Sequence, residues 1–175
     1  EFNMYQDRDS ERQFQTMMSA LFPNHPYGRS IIGLPEHLKN PSMINIQEFF
    51  KTFYVPNNMA ISLSGDLSFE ETIQLIDRYF GDLEYKDLPE LVQPVEEPIA
   101  EVIKKEVVGP EPENVMLAYR VGGVGSFDQP YLDIIDMLLS NSQAGLIDLD
   151  LVQKQKVLYA GSFYYALKDY GIQVM

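Results

Sequence analysis

The sequence predicts an α+β fold with layered mixed or antiparallel sheets and with helices packed on one face. Apolar residues recur at helical spacing in several segments and alternate with polar residues in others. These segments follow each other without the strict βαβ period of a doubly wound fold. With 45% hydrophobic and 12% aromatic residues, the 175-residue chain has the composition of a folded protein.

Helices are predicted where apolar residues form a stripe along one helical face. Two of them also begin at a capping box, formed by Ser10 with Gln13 and by Ser68 with Glu71. The predicted helices lie at residues 10–22, 46–54, 68–80 and 131–139, with a short one near 146–155.

Strands are predicted where apolar residues alternate with small or polar ones. They lie at 59–65, at about 101–108, at 115–122 and in the tail from residue 157. The segment DLEYKDLPELVQPVEEP is acidic, contains three prolines and shows no sustained hydrophobic periodicity, which is typical of a linker. We therefore expect domains at residues 1–82 and 99–175, joined by a linker at 83–98.

The charge and composition exclude several classes of function. The net charge of −13 opposes binding to nucleic acid or to an anionic membrane surface. No apolar run approaches the roughly 18 residues of a membrane span. The absence of cysteine excludes disulfides, thiol catalysis and cysteine-ligated zinc. The compartment stays open, with a bacterial cytoplasm or periplasm favoured over a mitochondrion.

The two histidines do not form a metal motif. His37 ends GLPEH at 33–37, which has glycine where an inverted H-x-x-E-H zinc motif needs histidine. We expect Glu36 and His37 to be exposed in a short turn or helix. His25 stands before a proline, and we expect a loop residue whose imidazole bonds a backbone carbonyl. The sequence also contains no G-x-S-x-G elbow, phosphate loop or dinucleotide fingerprint.

Several segments occur in an order that is typical of one family. They are HPYGRSIIG at 25–33, FYVPNNM at 53–59, Gly65–Asp66, Tyr79–Phe80–Gly81 and the turn, helix and strand pattern of 138–165. Together they resemble the insulinase/pitrilysin family of zinc metallopeptidases, which includes mitochondrial processing peptidase. The resemblance implies related α+β halves that enclose a chamber in which peptides are hydrolysed.

The resemblance also implies which residues would act in the parent protein. Two histidines and a glutamate of H-x-x-E-H would bind zinc and activate water, but this motif is absent here. Glu1 falls where the third zinc ligand of the parent is expected. In those copies of the family's domain that help to bind substrate, the segment L-R-x-K-x-x-L-x-Y carries an arginine and a tyrosine. Here Val152 replaces the arginine and Tyr159 is retained, so Tyr159 is a candidate substrate contact, with strand packing favoured instead.

We therefore expect an internal fragment of a zinc metalloendopeptidase, with zinc in the parent protein and none in the fragment. One carboxylate cannot hold a catalytic zinc, which needs three protein ligands, so no catalytic residue is assigned. The expected partners are a peptide or unfolded polypeptide substrate, and the missing halves of the parent or a partner subunit. The alternatives are a non-catalytic partner subunit of the family and a peptide-binding module with an exposed strand edge. Whether this chain is itself an enzyme stays open.

Overall fold

The computed structural model describes residues 2–175, which fall into two compact units. The sheet unit comprises the chain up to Ser30 together with Val95–Met175, and the helical unit comprises Ile31–Pro94. The chain thus leaves the sheet unit once, forms the helical unit and returns. The domain boundaries drawn from the sequence, at 82 and 99, stay a prediction.

The described residues form six α-helices and three strands. The helices are α1 (Phe2–Gln6), α2 (Asp9–Leu21), α3 (Pro35–Lys39), α4 (Met43–Phe53), α5 (Phe69–Phe80) and α6 (Gln129–Leu139). The strands are β1 (Ala118–Gly122), β2 (Phe163–Ala166) and β3 (Tyr170–Val174), and Asp148–Val152 form a π-helical turn. None of these helices is long and apolar enough to cross a membrane.

The sheet is antiparallel and has the strand order β1-β3-β2. Ile172 of the central strand lies opposite Arg120 on one side and Tyr165 on the other. This small sheet together with the helices confirms the α+β fold class.

The core of the sheet unit lies between α2 and β3. Phe22, Ile172 and Val174 are fully buried, and Met18 and Leu21 of α2 pack with them. The helix contributes through residues three apart, which lie on one face, and the strand through alternate residues. Each such buried apolar side chain stabilises the fold by about 1.5–3 kcal/mol relative to exposure.

The helical unit buries little of its apolar surface. Of residues 31–94, all of which the structure describes, Val55 alone is buried. The predicted stripe of α4 is formed, yet Phe49 is 59% exposed. The Asn57 side-chain amide donates to the carbonyl of Lys86 and accepts from its N–H, which ties the start of the predicted linker to this unit.

Two predicted strands are wrong. Residues 59–65 and 101–108 form no strand, and the strand predicted at 115–122 begins at Ala118. The alternating pattern at 59–65 is present, but Ile61 and Leu63 are exposed. A strand requires a neighbour with which to exchange hydrogen bonds, and no described segment pairs with these residues.

The capping boxes are also wrong in detail. Helix α2 begins at Asp9 with Arg8 at the N-cap, so Ser10 lies within the helix. Ser68 is the N-cap of α5, as expected, but its side chain caps no backbone N–H. The predicted helix near 146–155 is the shorter π-helical turn. The helix at 131–139 is confirmed as part of α6, which starts at Gln129.

Candidate functional site around His25 and Glu96

The candidate site begins where helix α2 ends. After Phe22 the chain turns through His25 and a 3₁₀ turn at Pro26–Gly28. Proline at the first position of this turn suits its fixed φ. A Cβ on Gly28 would overlap the carbonyl oxygen of Phe22, so glycine lets the turn pack against the helix end.

His25 is buried within this turn, with 2% of its surface exposed. Its Nδ1 accepts a hydrogen bond from the Tyr27 backbone N–H at 3.3 Å. The prediction of a bond to a backbone carbonyl is therefore wrong, because the imidazole nitrogen acts as acceptor rather than donor. The other ring nitrogen, Nε2, lies 3.5 Å from the Asp169 carboxylate. The rings of Tyr27 and Tyr170 pack edge-on against His25.

Glu96 approaches the same turn from the other end of the predicted linker. Its Oε1 accepts the backbone N–H groups of His25 at 2.6 Å and of Asn24 at 2.8 Å. Its own N–H donates to the hydroxyl of Tyr170 at 2.9 Å. Burial raises the pKa of this carboxyl, but the N–H donors and the nearby Arg120 outweigh burial and leave the pKa below its usual value of 4.5.

Arg120 of β1 completes the cluster. Its guanidinium lies 3.6 Å from the Glu96 carboxylate and donates to the carbonyls of Leu21 and Glu97. It also lies over the rings of Phe22 and Tyr170, at 5.9 Å and 5.7 Å from their centroids. The buried carboxylate is thus paired and hydrogen-bonded, as a buried charge must be to remain stable. The cluster connects helix α2, the returning chain and the sheet.

This cluster does not fit a zinc ion. A zinc ligand must offer a free lone pair toward an open position. The Nδ1 lone pair of His25 accepts the Tyr27 N–H, while Nε2 is buried among protein atoms rather than open to an ion. Within residues 2–175 no three histidine, cysteine, aspartate or glutamate side chains are grouped closely enough to hold a metal. The arrangement therefore organises structure and offers no coordination site.

The other sequence candidates are not members of this cluster. His37 and Glu36 are exposed on α3, as expected. Glu1 lies outside the residues that the structure describes, so its role stays a prediction. Tyr159 is 85% exposed and belongs to no strand, so the strand-packing interpretation is wrong. Its role as a substrate contact stays a prediction.

Sequence reasoning missed Glu96, Arg120 and the Asp148 loop. The Asp148 carboxylate is buried and accepts hydrogen bonds from the N–H groups of Asn141 and Gly145 and from the Ser140 hydroxyl. These donors place its pKa below the usual value, the Asn141 N–H most of all. Glu96 lies 71 residues from His25, so no local pattern could pair them.

Comparison with known proteins identifies the family. Residues 44–175 match the family described as the Peptidase M16 inactive domain. The chain belongs to the M16 peptidase family. This match confirms the insulinase-type resemblance found in the sequence, and it covers three quarters of the chain.

Individual relatives agree with this assignment. The uncharacterized zinc protease YmxG of Bacillus subtilis is 21% identical over 173 residues, which is 98% of this chain and 42% of the relative. The probable mitochondrial-processing peptidase subunit beta of Schizosaccharomyces pombe is 32% identical over 71 residues, covering 41% of this chain and 16% of the relative. The chain thus spans less than half the length of these curated relatives.

A solved structure supports the fold. The crystal structure of a protease from Helicobacter pylori matches 99% of this chain and 46% of its own, with a TM-score of 0.61 and 20% identity. At this level of identity the match establishes the shared fold alone.

Proposed function

We propose that the chain is a non-catalytic part of an M16 zinc metalloendopeptidase, and that the whole protein hydrolyses peptides with a zinc-activated water. The observation that carries the proposal is the match of residues 44–175 to a domain described as inactive. Relatives named zinc proteases support zinc and a peptide substrate for the whole protein.

The residues of the chain argue that it does not hydrolyse peptides alone. Its two histidines are His25, whose Nδ1 lone pair is occupied by Tyr27, and His37, which is exposed on a short helix. The H-x-x-E-H motif is absent from the sequence. Glu1, as the proposed third ligand of the whole protein, would supply one carboxylate of a set of three protein ligands.

A peptidase assay tests this proposal. The 175-residue chain, supplied with zinc, is expected to leave an unfolded, fluorescence-quenched polypeptide uncleaved. A longer form of the protein that includes an upstream H-x-x-E-H should cleave the same polypeptide and should lose activity to a zinc chelator. Chelator-sensitive cleavage by the 175-residue chain itself would contradict the proposal.

The second candidate is a non-catalytic partner subunit of the same family. It is favoured by relatives named as subunits, among them mitochondrial-processing peptidase subunit alpha-1 of Dictyostelium discoideum, 30% identical over 77 residues. The sequence immediately before Glu1 separates the two candidates. An H-x-x-E-H motif there supports the peptidase, and its absence supports the partner subunit.

Substrate contact by this chain is proposed at two places. Tyr159 offers an exposed phenol, and strand β2 pairs only with β3 among the described segments, which leaves one edge free for an extended peptide. Replacing Tyr159 by phenylalanine should weaken peptide binding if its hydroxyl makes the contact. Unchanged peptide affinity in a fluorescence anisotropy titration would contradict a substrate contact by the Tyr159 hydroxyl. The free edge of β2 would then remain as the proposed binding site.

A further inference from the structure

The chain passes between its two units at two points, and Glu96 lies beside the second of them. The first crossing follows Ser30 and the second follows Pro94. The carboxylate of Glu96 holds the N–H groups of Asn24 and His25, which lie a few residues before the first crossing. The Glu96 side chain therefore joins two points of the chain that are about 70 residues apart in sequence.

The contacts that hold residues 95–97 are few and mostly polar. Three groups make these contacts. The Glu96 carboxylate accepts the His25 N–H, the Glu96 N–H donates to the Tyr170 hydroxyl, and the Glu97 carbonyl accepts from Arg120. Neither Val95 nor Glu97 is buried. By contrast, the sheet is held by its own ladder and by the apolar core around Phe22 and Ile172. The segment and the sheet thus depend on different interactions.

The charge of Glu96 is the element on which these contacts depend. A carboxylate accepts two N–H groups and pairs with a guanidinium more strongly than a neutral acid does. The charged and titratable groups that face it are Arg120 on β1, His25 and Tyr27 in the turn, and Asp169 with Tyr170 at β3. Of these, Arg120 is the cation that directly opposes the carboxylate.

The other end of the segment is anchored separately. In the helical unit, the Asn57 amide binds both backbone groups of Lys86. The unanchored stretch between the two attachments is therefore residues 87–95, which is exposed except for the half-buried Gln93.

We propose that Glu96 is a latch that fastens residues 95–97 to the turn at Asn24 and His25, and that neutralising its carboxylate releases this segment while the sheet remains folded. Release lengthens the free connection from residues 87–95 to residues 87–110, up to the point where the Glu111 N–H donates to the buried Asp9 carboxylate. The latch is thus a conformational device that controls how tightly the connecting chain is held.

Hydrogen–deuterium exchange at neutral pH tests the latch, using the 175-residue chain and its Glu96→Gln variant. Glutamine keeps the shape and an acceptor oxygen but removes the charge. The amides of Asn24 and His25 are expected to exchange at least about tenfold faster, because hydrogen bonds to charged groups are the stronger ones. The β3 amides of Ile172 and Val174 should change less than about twofold. Glu97→Gln is the matched control, since the structure records no side-chain contact for Glu97.

Acid should reproduce the variant. In the unaltered chain, once the pH falls through the lowered pKa of Glu96 and after correction for intrinsic exchange rates, the Asn24 and His25 amides should exchange as fast as they do in Glu96→Gln. The variant should show no further change in these amides. Tyr170→Phe, which removes only the hydroxyl, should accelerate the Glu96 amide and supplies a test if Glu96→Gln does not fold.

Two results would overturn the latch. If exchange in Glu96→Gln is faster at the β3 amides as well as at Asn24 and His25, then Glu96 stabilises the whole folded unit and not the segment alone. Equal exchange in Glu96→Gln and Glu97→Gln would show that the carboxylate does not hold the segment.

Discussion

His25 shows what a single residue in a family marker loop does in this fold. Its imidazole accepts from Tyr27, lies between aromatic rings and faces Asp169, so the residue stabilises a turn. The sequence predicted a loop at His25 from the proline that follows it, because proline restricts the backbone locally. Burial of the histidine could not be predicted, because the atoms that bury it come from the far end of the chain.

Asp148 is a second residue whose role depends on its surroundings. Its pKa is lowered by the Asn141 N–H first, against burial, and then by Ser140 and Gly145. A group with a lowered folded pKa contributes stability above its unfolded pKa, near 3.9, and loses that contribution as pH falls through the lowered value. The free energy of unfolding should therefore decline in strong acid.

Asp148→Asn should remove part of this decline. The variant should be less stable at pH 7, because a neutral amide accepts these hydrogen bonds more weakly, and its stability should fall less steeply in acid. Urea unfolding at pH 7 and at about pH 3 measures both effects. Asp87→Asn, at an exposed position, is the control and should match the unaltered chain. Parallel pH profiles for Asp148→Asn and the unaltered chain would contradict the assignment.

At the scale of elements, helices were predicted far better than strands. A helix forms its hydrogen bonds within one segment, so apolar spacing located α2, α4, α5 and α6 within a few residues. A strand needs a partner elsewhere, and the alternating pattern of residues 59–65 meets none in the described chain. The sheet register could not be predicted for the same reason.

Helix α6 is tied to the sheet through one carboxylate. Asp136 accepts from the Ser162 hydroxyl at 2.6 Å and from the Gln173 amide at 3.0 Å, and Gln173 is buried. Asp136→Ala removes the carboxylate that accepts from the buried Gln173 side-chain amide. The substitution should therefore reduce the free energy of unfolding by about 1–3 kcal/mol. Urea denaturation provides the measurement.

The same helix supplies the control for this prediction. Asp133 is exposed, and Asp133→Ala removes the same charge one turn away. Its effect should stay within about 0.5 kcal/mol. Equal losses from the two substitutions would indicate a general effect of charge and would remove the proposed tie between helix and sheet.

At the scale of the whole molecule, the two units differ in how they are stabilised. The sheet unit has a buried apolar cluster, whereas Val55 alone is buried among residues 31–94. Regions with few buried contacts open at a lower free energy than a packed core. The family assignment and the α+β class could be reached from motif order, but this grouping of residues before 31 with those after 94 depends on long-range contacts.

Hydrogen exchange should therefore separate the units. Amides in α4 and α5 should exchange faster than those of β3, after correction for intrinsic rates, because their helices lack a packed face. Mass spectrometry of peptic fragments resolves the two groups. Protection of α4 and α5 equal to that of β3 would contradict the weak core assigned to the helical unit.

The central proposal is that this chain, which belongs to the M16 peptidase family, does not form a catalytic zinc site of its own. Its most direct test is the zinc content of the purified 175-residue chain, measured by mass spectrometry after dialysis against micromolar zinc. One carboxylate at Glu1 and two histidines that share no zinc motif should retain far less than one equivalent of zinc, and Glu1→Gln should leave that value unchanged. Retention of one equivalent of zinc, lost in Glu1→Gln or on replacement of either histidine, would contradict the account.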